Sequence, residues 1–203
     1  MRSVHFLSVL SLAFAGLAGL LPFRIFGLNI DTAAWLFPVQ VLVAGLVQFA
    51  ISFNSQAEKF LPALASAVGG WIVGAVIWHV VFVLFGAALI ENATYTASIS
   101  ALASSLTAVP LSSLTGYKVY ESLSLLSRDH YSVREWQMLC QCAGVATGVY
   151  ASAVVIPLDW DRQWQVWPCP CIIGAWGGCC LGNIIACCTA HRVDGSALGR
   201  KTA

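Results

Sequence analysis

Long runs without a charged side chain are the strongest constraint on how this chain can fold. The longest run covers residues 61–90, in which His79 is the only titratable side chain. About 20 apolar residues in a helix cross the ~30 Å hydrocarbon core of a bilayer, so this run must tilt, bend near Gly86 or emerge from the bilayer. Only 9% of all residues are charged and 59% are hydrophobic, whereas about 25% are charged in soluble domains. The chain is therefore predicted to be an integral membrane protein.

The apolar runs divide the chain into about six membrane-spanning helices that form a single transmembrane domain. Short polar connections separate them. The predicted spans are residues 3–23, 32–53, 61–90, 93–115, 138–156 and 169–190. The predicted fold class is all-α, a polytopic bundle. The first run, which Arg2 precedes and which contains Ala-x-Ala at 13–15, also fits a cleavable signal peptide, and both interpretations stay open.

The fourth predicted span, residues 93–115, is the least apolar, because it is rich in Ser and Thr and contains Pro110. Lipid cannot hydrogen-bond hydroxyl groups, so we expect this helix inside the bundle, where neighbouring helices can. Proline lacks a backbone N–H, and Pro110 therefore predicts a break in the helix.

The distribution of basic residues predicts the topology. Six spans place both termini on one side of the membrane, and eight of the ten Lys and Arg residues fall on that side. Only Arg24 and Arg162 fall on the other. The positive-inside rule then makes both termini cytoplasmic and places residues 157–168 on the lumenal or exterior side. The formal net charge of +1 argues against a nucleic-acid partner.

Small residues recur at four-residue intervals in three of the predicted spans. A helix face without side chains lets another backbone approach closely, which is how helices associate in lipid. Either these faces pack among helices of this chain, or at least one accepts a helix of a partner. The glycines concerned are Gly70, Gly74, Gly144, Gly148, Gly174, Gly178 and Gly182.

Motifs for catalysis or metal binding are absent from the sequence. The eight cysteines occur as Cys-x-Cys or adjacent pairs, not as the C-x-x-C of structural zinc sites. No G-x-S-x-G, phosphate-binding glycine loop or H-E-x-x-H is present, and the lumenal acids are too few for a two-metal site. We expect no catalytic residue, no metal and no cofactor.

Two polar residues of the third predicted span are nevertheless candidates. His79 lies within the span, where a polar side chain indicates a functional site, although hydrogen bonds from a neutral imidazole to hydroxyls of the fourth span explain it as well. Glu91 follows the span and is expected to cap or anchor it at the lumenal surface.

The segment 157–168 is polar and rich in tryptophan. Trp160, Trp164 and Trp167 are spaced so that they share one face of a helical turn, as in an interfacial aromatic belt. Alternatively, the charges between them form an ion-paired cap or meet a lumenal partner, or the segment binds an ethanolammonium headgroup through indole faces and a carboxylate. The candidates for partner or headgroup binding are His79, Glu91, Asp159, Trp160, Asp161, Arg162, Trp164, Gln165 and Trp167.

Two stretches of the chain resemble a known family. HVVFVLFGAALIE at 79–91 and IPLDWDRQWQVWP at 156–168 are similar to the two signature stretches of the PIG-F family, and the GxxxGxxxG run that follows is similar too. Members of that family are small multi-pass subunits of the ethanolamine phosphate transferases that build GPI anchors. We refer to residues 79–91 and 156–168 as the first and second signature stretches.

The resemblance implies a function that residue spacing alone does not. It implies an endoplasmic reticulum protein that is not itself an enzyme and that binds and stabilises large catalytic subunits. Those subunits transfer phosphoethanolamine from phosphatidylethanolamine to mannoses of the GPI precursor. The expected partners are these subunits and membrane lipids, phosphatidylethanolamine among them. Two other classes stay open: a lipid-headgroup-handling enzyme, which would need His79 and the lumenal acids to converge, and a small lipid transporter.

Overall fold

The structure, a computed structural model, describes residues 30–53, 60–87, 90, 93–115, 124–128, 130–158 and 167–198. The first predicted span and most of the tryptophan-rich segment lie outside the described residues. The described part of the chain is helical throughout, which confirms the all-α fold class. It contains α1 (Ile30–Phe53), α2 (Phe60–Leu84), α3 (Ala93–Thr115), α4 (Val133–Ala153), α5 (Cys169–Leu198) and a short 3₁₀ helix at Leu125–Ser127.

Three of the described helices have the length and composition needed to cross a bilayer. They are α2, α3 and the Cys169–Thr189 part of α5, and α1 contains a shorter apolar stretch at Pro38–Ala50. Such helices are those of a membrane protein. The total number of spans and the side on which the termini lie remain predictions.

Helix α3 lies at the centre of the bundle and contacts each of the other four helices. Most of its residues are buried, including the hydroxyl-bearing Thr96, Ser100 and Ser104. The expected internal position of the Ser- and Thr-rich helix is therefore confirmed.

Hydrogen bonds from tryptophans tie α2 to α3. The indole N–H of Trp71 donates to the Ser105 hydroxyl at 3.0 Å, and the Ser104 hydroxyl donates back to the Trp71 carbonyl at 2.6 Å. Two turns further along α2, the indole of Trp78 donates to the Thr107 hydroxyl at 3.0 Å. The hydroxyls of α3 thus find partners on the neighbouring helix, where lipid offers none.

Two glycines bring α2 close enough to α3 for these bonds. A Cβ atom at Gly70 would collide with the Ser112 side chain, and one at Gly74 would collide with Ala108 and Ser104. Close approach of the two backbones therefore depends on the missing side chains.

Helix α3 continues through Pro110, which corrects the predicted break. Because proline has no N–H, the carbonyl of Leu106 one turn earlier lacks its intrahelical donor. The side-chain amide of Gln141 on α4 donates to this carbonyl at 2.7 Å. A neighbouring helix therefore satisfies the group that the proline leaves unpaired.

Gln141 belongs to a buried amide network that joins α3, α4 and α5. Asn183 Nδ2 donates to Gln141 Oε1 at 3.1 Å and to the Cys179 carbonyl at 2.8 Å, and Gln137 Nε2 donates to Asn183 Oδ1 at 3.1 Å. Gln137, Gln141 and Asn183 are 4%, 1% and 0% exposed. Each amide has a partner, as burial in a medium without water requires.

Glycines from both helices form the interface between α4 and α5, the most extensive in the bundle. A Cβ at Gly148 would lie 2.9 Å from the Cα of Gly178 and would also meet the Gly174 carbonyl oxygen. A Cβ at Gly144 would lie 3.0 Å from the Cα of Gly182. The glycine faces of α4 and α5 therefore pack against each other within this chain rather than presenting an open groove to a partner.

The ends of three helices differ from the predicted spans, and for α2 and α4 the cause is local. Helix α2 ends at Leu84, not at residue 90, because Gly86 adopts a positive φ of 100°. This conformation closes a Schellman motif, in which the Ala87 N–H donates to the Phe82 carbonyl at 2.9 Å. Helix α4 begins at Val133, not at residue 138, because Ser132 and Glu135 form a capping box. Helix α5 runs on to Leu198, beyond the predicted end at residue 190.

Neighbouring glycines of α5 offer a matched test of the α4–α5 interface. In Gly178→Leu the new Cβ would lie 2.7 Å from the Gly144 carbonyl carbon, which is backbone and cannot rotate away, whereas nothing lies within 4 Å of a Cβ at Gly177. Both substitutions gain helix propensity, worth about 1 kcal/mol. We expect Gly178→Leu to destabilise the protein by about 3 kcal/mol through overpacking, and Gly177→Leu to leave its Tm in mild detergent unchanged or higher. Equal Tm values for the two variants would contradict the described interface.

A double-mutant cycle tests the bond between Gln141 and the carbonyl that Pro110 frees. Gln141→Leu leaves the Leu106 carbonyl unpaired and should destabilise the protein by about 1–3 kcal/mol. In a Pro110→Ala background the backbone N–H of residue 110 donates to the Leu106 carbonyl, so Gln141→Leu should lower the Tm clearly less than in the wild-type background. Gln137→Leu is the control, because the Gln137 amide donates to Asn183 and not to the Leu106 carbonyl, so its effect should be the same in both backgrounds. An equal loss from Gln141→Leu in both backgrounds would show that the bond does not compensate for the proline.

Candidate functional site

The two signature stretches meet at a groove between the end of α2 and the end of α4, which we call the α2–α4 groove. Its volume is about 950 Å³. Both stretches contribute to its walls. The signature residues that line it are Val81, Phe82, Phe85, Gly86 and Ala87 from the first stretch and Ile156, Pro157 and Trp167 from the second.

Trp167 fixes the second signature stretch to the rest of the bundle. Its ring packs edge-to-face against Phe82 of the first stretch, with centroids 5.6 Å apart and planes at 76°. Its indole N–H donates to the Thr96 hydroxyl of α3 at 3.3 Å. Phe82 in turn packs against Trp78, with centroids 5.7 Å apart. A partly buried indole with a polar partner and an aromatic neighbour is held by both, so Trp167 joins the two signature stretches to α3.

A second aromatic pair crosses the α2–α4 groove. Phe85 follows the end of α2 and Tyr150 lies on α4, and their rings pack edge-to-face with centroids 5.8 Å apart. Phe85 is 72% exposed and Tyr150 is 62% exposed. The pair therefore lies at the open side of the groove and connects its two walls.

The structure places some of the predicted site residues at the groove and others elsewhere. Trp167 lines the groove, whereas His79 is partly buried on α2 and does not line it. The seven predicted glycines lie in the α2–α3 and α4–α5 interfaces. The other candidates lie outside the described residues: Glu91, Asp159, Trp160, Asp161, Arg162, Trp164 and Gln165.

The groove walls suit binding of an apolar group. Among the described lining residues, polar side-chain atoms belong to Trp78, Tyr150, Trp167 and Cys171, and the others are aliphatic, phenylalanine, proline or glycine. In the described part of the chain, no cluster of three or more His, Cys, Asp or Glu side chains could hold a metal ion. Walls of this composition bind ligands by apolar burial and shape, with few polar groups to orient them.

Four aromatic groove residues were missed as candidates from the sequence. Trp78, Phe82 and Phe85 follow each other at intervals of four and three, which places aromatic rings on one face of α2 and could have indicated a shared surface. Tyr150 carries no such signal, because its place opposite Phe85 depends on how α4 packs against α3.

Comparison with known proteins gives one family match and several similar proteins. The model of the GPI biosynthesis protein family Pig-F matches residues 5–187. A Homo sapiens protein named "GPI ethanolamine phosphate transferase, stabilizing subunit" is 38% identical over 111 residues, which cover 54% of this chain and 50% of that protein. The Mus musculus protein of the same name is 35% identical over 135 residues, 66% of this chain and 61% of that protein.

A fungal protein is similar over a longer stretch. The "Glycosylphosphatidylinositol anchor biosynthesis protein 11" of Candida glabrata is 36% identical over 160 residues, 76% of this chain and 67% of that protein. The matches thus span about half to two thirds of the length of these three relatives. No solved structure matches the chain. Because the family model covers nearly the whole chain, including both signature stretches that line the α2–α4 groove, the chain belongs to the PIG-F family of GPI biosynthesis proteins.

Proposed function

We propose that the chain is a non-catalytic membrane subunit that binds and stabilises the large catalytic subunits of GPI ethanolamine phosphate transferases. The observation that carries this proposal is the family match over residues 5–187, together with relatives named as the stabilizing subunit. In this proposal the large subunits transfer phosphoethanolamine from phosphatidylethanolamine to mannoses of the GPI precursor. The chain resides in the endoplasmic reticulum membrane with six spans and both termini in the cytoplasm.

The composition of the described bundle supports an accessory role over a catalytic one. Its buried polar groups, such as Ser104, Gln141 and Asn183, are engaged in bonds that hold helices together. The α2–α4 groove offers apolar and aromatic walls. These features favour a protein that acts by binding a partner. They give no support to the alternative in which His79 and lumenal acids assemble a catalytic centre.

The lumenal contact with the large subunit is proposed to involve the second signature stretch. Pro157 lies near the start of this stretch and Trp167 near its end, and both residues line the α2–α4 groove. Because Trp167 contacts Phe82 and Thr96, the residue at the end of the segment is anchored in the bundle. The proposed contact residues are Asp159, Trp160, Asp161, Arg162, Trp164, Gln165 and Trp167, with His79 and Glu91 as further candidates.

The glycine faces play a different part in this proposal. Those of α4 and α5 face each other, and those of α2 face α3, so they serve the folding of this chain. Helices of the large subunit would therefore pack on outward faces of the bundle rather than on these glycines.

Purification from native membranes in mild detergent tests the proposal. We expect a large transferase subunit to co-purify with the wild-type chain, and Asp159→Asn and Arg162→Gln to reduce its recovery without changing the Tm of the chain, because they remove charges that meet the partner. Asp194→Asn is the matched control, since it makes the same acid-to-amide change at a position predicted to be cytoplasmic.

Two outcomes would count against the proposal. Absence of any transferase subunit from the wild-type preparation would refute the partner. Full recovery of the complex with loss of transfer in Asp159→Asn would favour the alternative in which this segment handles the lipid headgroup.

A further inference from the structure

The walls of the α2–α4 groove consist of side chains that bind hydrocarbon. Aliphatic residues such as Ile77, Val81 and Val154 alternate with the rings of Trp78 and Phe82. The volume of about 950 Å³ lies at the upper end of the range of roughly 300–1,000 Å³ for pockets that hold small organic ligands. An apolar molecule placed there would be in contact with protein over much of its surface.

The groove is continuous with the lipid-facing surface of the bundle. Ile77 lines the groove and is 55% exposed, and it adjoins an exposed apolar face of α2 that includes Val76, Val80 and Leu84. Helix α2 is long and apolar enough to cross a bilayer, so this face meets lipid tails. The groove is a recess in that face, and lipid hydrocarbon can enter it directly.

The shape and composition of the groove exclude a helix as its occupant. A helix with its side chains is about 10–12 Å across, whereas the Phe85 and Tyr150 rings, one from each wall, are in contact with centroids 5.8 Å apart. Helices also associate in lipid through small residues that permit close approach, and these walls carry bulky rings instead. The two rings leave no gap between them, so an occupant must lie beside the pair, and a narrow and flexible acyl chain can do so.

We propose that the α2–α4 groove binds one acyl chain of a membrane lipid. The chain lies against Phe82 and Trp167 and passes beside the Phe85–Tyr150 pair. Helices α2 and α4 both end at this groove, so the lipid headgroup lies towards Gly86 and Pro157. The binding site is built by this chain alone, and its occupation does not depend on the large transferase subunit.

Photo-crosslinking in native membranes tests the proposal with the full chain and its natural partners present. Microsomes are loaded with phosphatidylethanolamine or phosphatidylcholine that carries a diazirine in one acyl chain, irradiated, and the chain is purified for mass spectrometry. We expect adducts on groove residues such as Val81 and Val149 to exceed those on the outward residues Ile72 and Val76 by roughly tenfold, as specific binding over bulk contact requires. Equal labelling by the two lipids would show recognition of the acyl chain alone, and labelling by phosphatidylethanolamine only would show that its headgroup contributes as well.

Substitutions on α4 provide matched variants for this experiment. Ala146 lines the groove and Ala143, one turn earlier on the same helix, is exposed outside it. Ala146→Trp fills the groove and should reduce groove adducts roughly tenfold, whereas Ala143→Trp should leave them unchanged. If Ala146→Trp does not fold, Ala153→Phe is the second variant, because Ala153 lies two turns further along α4 and also lines the groove.

Three results would overturn the proposal. The first is labelling of groove residues in the wild-type chain that is no stronger than labelling of the outward face of α2, and it requires no variant. The second is equal labelling of the groove in the two tryptophan variants. The third is crosslinking of the groove residues to a helix of another protein instead of to lipid.

Discussion

Hydrogen bonds to the central helix α3 hold this bundle in one arrangement. In lipid, apolar side chains gain nothing by meeting each other rather than acyl chains, so close packing and polar contacts must supply the stability. Three of the four described helices that contact α3 make such a polar contact: the Ser105 hydroxyl lies 3.4 Å from the Val41 carbonyl of α1, Trp71 of α2 donates to Ser105, and Gln141 of α4 donates to Leu106. The positions of α1, α2 and α4 around α3 are therefore each specified by a particular donor and acceptor.

The glycine faces and the polar contacts contribute to helix packing in different ways. Glycines remove the side chains that would separate α2 from α3 and α4 from α5. Close approach alone does not fix which residues meet, because a smooth face tolerates sliding along the helix axis. The Gln137–Asn183–Gln141 network fixes this register for α4 and α5, since Asn183 of α5 bonds to both Gln137 and Gln141 of α4. The bond from Gln141 to the Leu106 carbonyl also fixes the position of α4 relative to α3. Both signature stretches are thereby brought to the α2–α4 groove.

The sequence predicted the features that depend on composition and local spacing. The hydroxyls of residues 93–115 require an internal position, and α3 lies there. Four-residue spacing of glycines indicated close approach, but every such face is equally smooth, so spacing alone did not say that Gly144 and Gly148 meet Gly174, Gly178 and Gly182. The predicted break at Pro110 did not allow for a donor from another helix, and Gln141 provides one.

The candidate site was predictable only in part, because its geometry depends on tertiary packing. Sequence reasoning identified Trp167 as a site residue, and it lines the α2–α4 groove. The groove itself arises between helices that α3 holds apart, so Tyr150 and Phe85 become neighbours only through tertiary packing. Aromatic spacing along α2 indicates one wall of the groove, while the opposite wall depends on the whole bundle.

In the proposed function, this chain supports a transferase without performing the transfer. A reconstituted assay of phosphoethanolamine transfer to a mannose acceptor tests this, with this chain alone, the large subunit alone and the two together in vesicles containing phosphatidylethanolamine. We expect no transfer by this chain alone, and transfer by the large subunit that lasts longer when this chain is present. Transfer by this chain in the absence of the large subunit would refute the proposed function.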